Sequence, residues 1–482
     1  MSSRKFNEYK GLDLPQLGRE VLEMWDKENT FGRSITEREG SPTFIFYEGP
    51  PSANGLPGIH HVLSRTIKDT ICRYKTQKGF LVRRKAGWDT HGLPVELGVE
   101  KKLGITKEDI GHKISIEEYN RTCREAVMEF TGVWEDLTRT MGYWVDMKHP
   151  YITYENKYIE TLWWMLKQLF DKGLLYKGYT IQPYSPAAGT GLSNHELNQP
   201  GCYRDVKDTT CTAQFEVVRD ERSEFLFDNA QGTLYFLAWT TTPWTLPSNT
   251  ALAVGDHIEY VRVKCLNPYT QQPQTVILAK ELLSSYFTPK MEGTYSVDER
   301  TYKGSELVGI GYRQLIDWVK PMGDAFRVIS GDYVTTVDGT GIVHIAPTFG
   351  ADDDRVGKQA GIVPMYVVDK AGKNQPMVDR RGRLFPIEEM DADFVERYVD
   401  TQAYGEWAGR FVKNAYDPTL GPDDPTLDVD LSVMLKGENK AFKIEKHTHS
   451  YPHCWRTDKP VLYYPLDSWF IRTTALRERL ME

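Results

Sequence analysis

Residues 43–65, TFIFYEGPPSANGLPGIHHVLSR, set the fold of the chain's first half. The run TFIFY is short, apolar and aromatic, and predicts a buried strand. After the loop, Val62, Leu63, Ile67, Ile71 and Tyr74 recur at helical spacing, with Arg65, Lys68 and Asp69 on the other face. The stretch is therefore a strand-to-helix turn, with Gly58, Ile59, His60 and His61 at the helix start. Free backbone N–H groups and the positive end of the helix dipole make such a place attractive to phosphate. Taken alone, the turn also reads as a tight connection that carries two surface histidines.

Working outward, a chain of 482 residues with 40% hydrophobic and 26% charged residues is globular, and its length suggests about three domains. Its start lacks a signal-peptide pattern, and no apolar run approaches the roughly 18 residues of a membrane span. The richest apolar stretch, TLWWMLKQLF at 161–170, reads as an amphipathic core helix. Six scattered cysteines suggest reduced thiols and a cytoplasmic setting. A net charge of −8 argues against indiscriminate nucleic-acid binding, and no DNA or membrane partner is expected. The segment KTQKGFLVRRK at 75–85 reads either as a local basic surface or as a solvated strand approach.

Residues 1–42 read as a helical lead-in, with Val21, Leu22 and Trp25 forming a stripe. From 43 to 183, strands alternate with long amphipathic helices at 62–78, 117–140 and 154–172, which predicts a parallel α/β sheet. From 184 to 445 the chain breaks into short β-rich runs at 210–218, 233–239, 260–264 and 274–278, the pattern of an inserted β-rich domain. The passage 417–430, rich in proline and aspartate, is its expected exit linker, and 446–482 returns to the first domain.

Four clusters carry chemistry. In the opening loop, Gly49 and Gly55 would let backbone approach a ligand, and His60 and His61 could donate to a phosphate chain. In GWDTHGLPVE at 87–96, Asp89 could hold an ammonium or cap a helix. In WTTTPWTLPSN at 239–249, three consecutive threonines suit a hydroxyl-lined pocket for a polar substrate. In GTGIVHIAPTFGADDD at 339–354, a hairpin carrying His344 leads to aspartates that could ligate a metal, hold an ammonium or cap the next helix.

These segments, with YPHCWR at 451–456, occur in an order and spacing that resembles the isoleucyl-tRNA synthetases, a family of class I aminoacyl-tRNA synthetases, over the whole chain. GWDTHGLPVE is the form that separates this family from its valine and leucine relatives, and APTFGADD with YYPLDSWF resembles the eukaryote-like branch. The resemblance implies a Rossmann-type catalytic domain interrupted by a β-rich editing domain. It implies activation of isoleucine with ATP and Mg2+, transfer to its tRNA, and hydrolysis of mischarged valyl-tRNA in the insertion. By the same resemblance, Gly49, Asn54, Gly58, His60 and His61 would contact ATP, with Gly58, His60 and His61 as the catalytic signature. Pro50, Asp89 and Trp469 would hold the amino acid. Thr240, Thr241, Thr242, Asn249, His344 and Asp353 would form the editing site around a positioned water.

The sequence departs from the family in three places. The signature of histidine, apolar residue, glycine, histidine is here Gly58-Ile59-His60-His61, so His60 is expected to reach the phosphates from a shifted position. Where relatives carry two Cys-x-x-Cys knuckles, this chain has Ser185, Ala188, Cys454 and Thr457, and one thiolate cannot hold a structural zinc, so no metal is expected. The chain stops at Glu482 before the KMSKS loop, which implies an N-terminal portion of a longer enzyme. A non-catalytic tRNA-binding or regulatory paralogue, or a synthetase for another branched-chain amino acid, are the alternatives.

Overall fold

The opening stretch folds as the strand Thr43–Tyr47, a loop and the helix Ile59–Gln77 in the computed structural model, which describes residues 11–288, 291, 293–421 and 424–482. Thr43–Tyr47 pairs in parallel with Leu81–Trp88, which pairs in parallel with Asp146–Ile152. Parallel neighbours need long crossovers, and the helices between these strands supply them. The central strand is the buried one. Thr43–Tyr47 is an edge strand whose residues alternate between exposed and partly covered, with Ile45 and Tyr47 outward, so the expected burial of TFIFY does not hold.

The helix Ile59–Gln77 turns its faces opposite to the usual amphipathic rule. Arg65, Cys72 and Thr76 are its buried residues, while Leu63, Ile67, Ile71 and Tyr74 are exposed. Paired charges orient it. Lys68 reaches Glu48, which is 2% exposed, and Asp69 accepts from the buried Arg84 at 3.1 Å. Arg65 lies over the rings of Trp134 and Tyr143, and donates to Thr138. Burying these groups unpaired would be costly, so the polar face is fixed inward.

The helix expected at 117–140 is two helices, Ile116–Val127 and Thr131–Thr140, interrupted at Met128–Phe130, where the Phe130 N–H bonds to Ala53 of the opening loop. The apolar helix Asn156–Asp171 has no buried residue among those described, and Trp163 is 69% exposed, which corrects its reading as a core helix. In the lead-in, Asp13 caps Leu14–Glu28 and Trp25 packs edge-on against Trp144.

Two compact units result: residues up to Tyr176 with Ile471–Glu482, and Lys177–Phe470. The second holds a six-stranded sheet in the order Ser296–Lys303, Glu259–Leu266, Pro273–Ala279, Thr233–Thr240, Tyr203–Glu216, Ala441–Pro452. It also holds a three-stranded sheet with Ala251–Val254 between Arg327–Ser330 and Ile342–Ile345. The unit runs past residue 445 because Ala441–Pro452 pairs along its length with Tyr203–Glu216. The expected linker is no simple exit either. Part of it is the helix Leu427–Gly437, whose Leu427, Leu431 and Leu435 enter the main core of the unit.

Candidate functional site

Residues of the first unit form a loop clamped at several points. The Trp134 indole donates to Gly55, the Asp89 N–H donates to Pro51, and the Tyr151 hydroxyl donates to the Glu48 carbonyl. The structure thus brings the opening loop beside the segment carrying Asp89. A Cβ at Gly87 would lie 2.4 Å from the Tyr151 ring, so that position needs glycine for the clamp to close. Around Gly55 space is open, a Cβ at Gly49 would meet Lys68 Nζ at 3.6 Å, and Pro50 and Asn54 are partly covered.

Gly58 is the N-cap of the helix, and its N–H donates to Nδ1 of His61 at 2.9 Å. His61 is therefore a capping acceptor, with only Nε2–H left to donate outward. Burial, followed by the neighbouring His60 charge, lowers its pKa. Its ring packs on Trp134 with centroids 4.7 Å apart. His60 is exposed, and its ring folds back over Gly58: a Cβ at 58 would meet the imidazole at 2.8–2.9 Å. Glycine at 58 and histidine at 60 belong together, because the second ring fills the space the first side chain would take.

In the second unit a cavity of about 310 Å³ opens between the end of Thr233–Thr240, the loop at 333–341 and the strand Ile342–Ile345. Thr240, Thr241, His344 and Asp353 line it, joined by Tyr333. Asp353 sits in the first turn of the helix Ala351–Ala360 and accepts from Ala346 N–H at 2.9 Å and from the Tyr333 hydroxyl at 3.3 Å. Burial raises its pKa to about 6, with the Ala346 bond opposing. Gly350 leaves room for the carboxylate, since a Cβ there would lie 2.6 Å from it. Asp352 and Asp354 face elsewhere: Asp352 bonds to Arg355, and Asp354 to Lys358 and Tyr179. The three carboxylates share no centre, and among the described residues no cluster of His, Cys, Asp or Glu is arranged for a metal.

Thr242 and Asn249 stand behind the cavity wall. The Thr242 N–H donates to Thr240 Oγ1 at 3.1 Å. Asn249 is 3% exposed; its amide donates to Ala251 and its oxygen accepts from Tyr312, so it braces the threonine segment. Asp428 braces it too, accepting from the Trp244 N–H at 2.8 Å while paired with the buried Lys413. Trp469 lies in the second unit, on the strand Leu462–Ile471. At the positions compared with the knuckles, Ser185 Oγ accepts from Ala188 N–H, and Cys454 packs with Leu192, Leu197 and Val461. Tyr333 was not legible in the sequence: it sits in an ordinary turn, 20 residues from the carboxylate it touches.

The parallel sheet with its clamped glycine-containing loop, and the separate β-rich unit with its threonine cavity, accord with the match of residues 20–482 to a family described as tRNA synthetases class I (I, L, M and V). The chain belongs to that family. Within it, the chain is 64% identical over 493 residues to the isoleucine–tRNA ligase of Bacteroides fragilis, covering 100% of this chain and 43% of that relative. It is 64% identical over 492 residues to that of Porphyromonas gingivalis, covering 99% and 43%. With the isoleucine–tRNA ligase of Clostridium tetani it shares 43% identity over 478 residues, covering 98% and 40%. The chain thus spans 43% of the length of the first two curated relatives. A solved structure described as "The crystal structure of GlLeuRS-CP1" overlaps 49% of this chain and 100% of its own, at a TM-score of 0.31 and 15% identity, too low to carry an argument.

Proposed function

We propose that this chain carries the hydrolytic editing site of an isoleucine–tRNA ligase, together with the part of the synthetic site that grips ATP and the amino acid. The observation that carries the reading is the partly buried Asp353 carboxylate lining, with hydroxyl-bearing Thr240 and Thr241, one cavity of about 310 Å³. An aminoacyl ester brings an ammonium for the carboxylate and a carbonyl for the hydroxyl side. One missing methylene in an apolar pocket discriminates by only about 1–3 kcal/mol, a limit for which the isoleucine enzymes themselves are the worked case. A second, smaller site is the remedy, and mischarged valyl-tRNA is its proposed substrate. Isoleucine, ATP and the isoleucine tRNA are the proposed partners, in the cytoplasm. In the first unit His60 and the Nε2–H of His61 are the proposed donors to ATP phosphates, and Asp89 the ammonium ligand beside Pro50.

The test is hydrolysis of valyl-tRNA for isoleucine by the 482-residue chain, beside isoleucyl-tRNA and an Asp353→Ala variant. Loss of valine only, slowed about a hundredfold or more in the variant, is expected for removal of the charge partner of the substrate ammonium. A folded chain that leaves valyl-tRNA intact favours the tRNA-binding paralogue instead.

A further inference from the structure

Among the polar groups lining the cavity, His344 is connected in an unusual way. It is 8% exposed, and its Nε2 lies 3.0 Å from Thr245 Oγ1. That hydroxyl also donates to the Thr242 carbonyl at 2.8 Å. A carbonyl can only accept, and a threonine hydroxyl has one proton, so the proton lies toward Thr242. The hydroxyl lone pair must then receive a proton from Nε2. The imidazole is left with an unprotonated Nδ1, and this atom is buried without a partner. An unpaired buried acceptor is costly and persists where a ligand or water completes it.

We propose that Thr245 is a positioning residue that locks His344 in its Nε2–H tautomer, so that the unpartnered Nδ1 is left as the acceptor for the O–H of the water that attacks the ester. This rests on the deacylase reading given above. Burial lowers the His344 pKa to about 4, so the ring is uncharged at neutral pH and Nδ1 keeps its lone pair. Water adds to the ester carbonyl and the acyl C–O bond breaks. The ribose oxygen takes one water proton, and the new carboxyl group loses the other to solvent. Thr245 stands within the threonine-rich segment but points away from the role its neighbours have: its hydroxyl serves the histidine, and the cavity lining does not include it.

Long-range 1H–15N spectra of the 482-residue chain read imidazole tautomers directly, with His344 assigned by the signal lost in His344→Gln. His344 is expected as the Nε2–H tautomer, uncharged at neutral pH. Thr245→Val keeps the shape and removes the hydroxyl; it should mix the tautomers and slow valyl-tRNA hydrolysis about tenfold, the worth of one positioned hydrogen bond. Thr245→Ser should restore both, and an unchanged thermal midpoint shows that the fold is intact. An Nδ1–H tautomer in the parent, or an unchanged tautomer in Thr245→Val, overturns the lock. A changed tautomer with unchanged hydrolysis overturns the role of Nδ1. A lock that behaves as expected in a chain that does not hydrolyse valyl-tRNA upholds the tautomer and removes the deacylase reading.

Discussion

On the helix Leu427–Gly437 of the second unit, Leu431 and Leu435 are fully buried, whereas on Ile59–Gln77 of the first unit Ile67 is 55% exposed and Ile71 50%. Both helices carry leucine or isoleucine at helical spacing. One is seated by apolar burial, the other by Lys68 with Glu48 and by Asp69 with Arg84. The difference teaches that an apolar stripe says a face is sticky, not that it is inward. Hydrophobic burial is non-directional, whereas a buried charge demands its partner at one place.

The comparison can be broken most directly by cutting the molecule. A fragment of residues 177–470 should unfold in one cooperative transition, because its sheets close over its own core. Residues 1–176 alone should bind a hydrophobic dye and melt broadly. The reverse result in calorimetry would end the contrast.

Single substitutions sharpen it. Leu431→Ala should lower stability by about 2–5 kcal/mol, as for a fully buried leucine. Ile71→Glu, on the exposed stripe, should stay within about 0.5 kcal/mol. Denaturant titration of the whole chain compares the two. A large loss from Ile71→Glu would mean that the stripe is covered.

A smaller effect separates stability from function within the second unit. The Asp353 pKa stands at about 6 against an ordinary 3.8, so its ionised form weighs against folding at high pH. That penalty is present above pH 6 and is relieved as pH falls through 6 toward 3.8. Asp353→Asn should therefore raise stability at high pH by on the order of 1–3 kcal/mol while removing valyl-tRNA hydrolysis. The gain should shrink toward pH 5, as thermal midpoints across pH would record. In the parent, hydrolysis should fall as pH drops through about 6, because a protonated carboxyl cannot hold an ammonium.

The smallest effect is expected at the loop of the first unit. Gly58→Ala puts a Cβ 2.8 Å from the His60 ring, which can swing outward because it is exposed. Stability should change by less than about 1 kcal/mol, and the His60 signals in NMR should shift while those of His344 stay. Unmoved His60 signals would mean that the two positions are independent.

Much of this was legible in the residues themselves. The strand, turn and helix of 43–77, the parallel sheet and the β-rich segment follow from periodicities of two and 3.6 and from glycine-rich turns, all of them local properties. So does the helix start at Gly58, since caps and turns act within a few residues. The threonine run and the aspartates of 352–354 announced themselves by composition, yet only one of those three carboxylates, Asp353, meets the cavity. What the tertiary structure alone decided depends on contacts distant in sequence. Arg65 turns inward because Thr138 and Tyr143 await it, Tyr333 meets Asp353 across 20 residues, and Thr245 meets His344 across 99. A sequence pattern fixes which face of an element is apolar; which face is buried, and which proton an imidazole carries, is set by the partner that the rest of the chain brings to it.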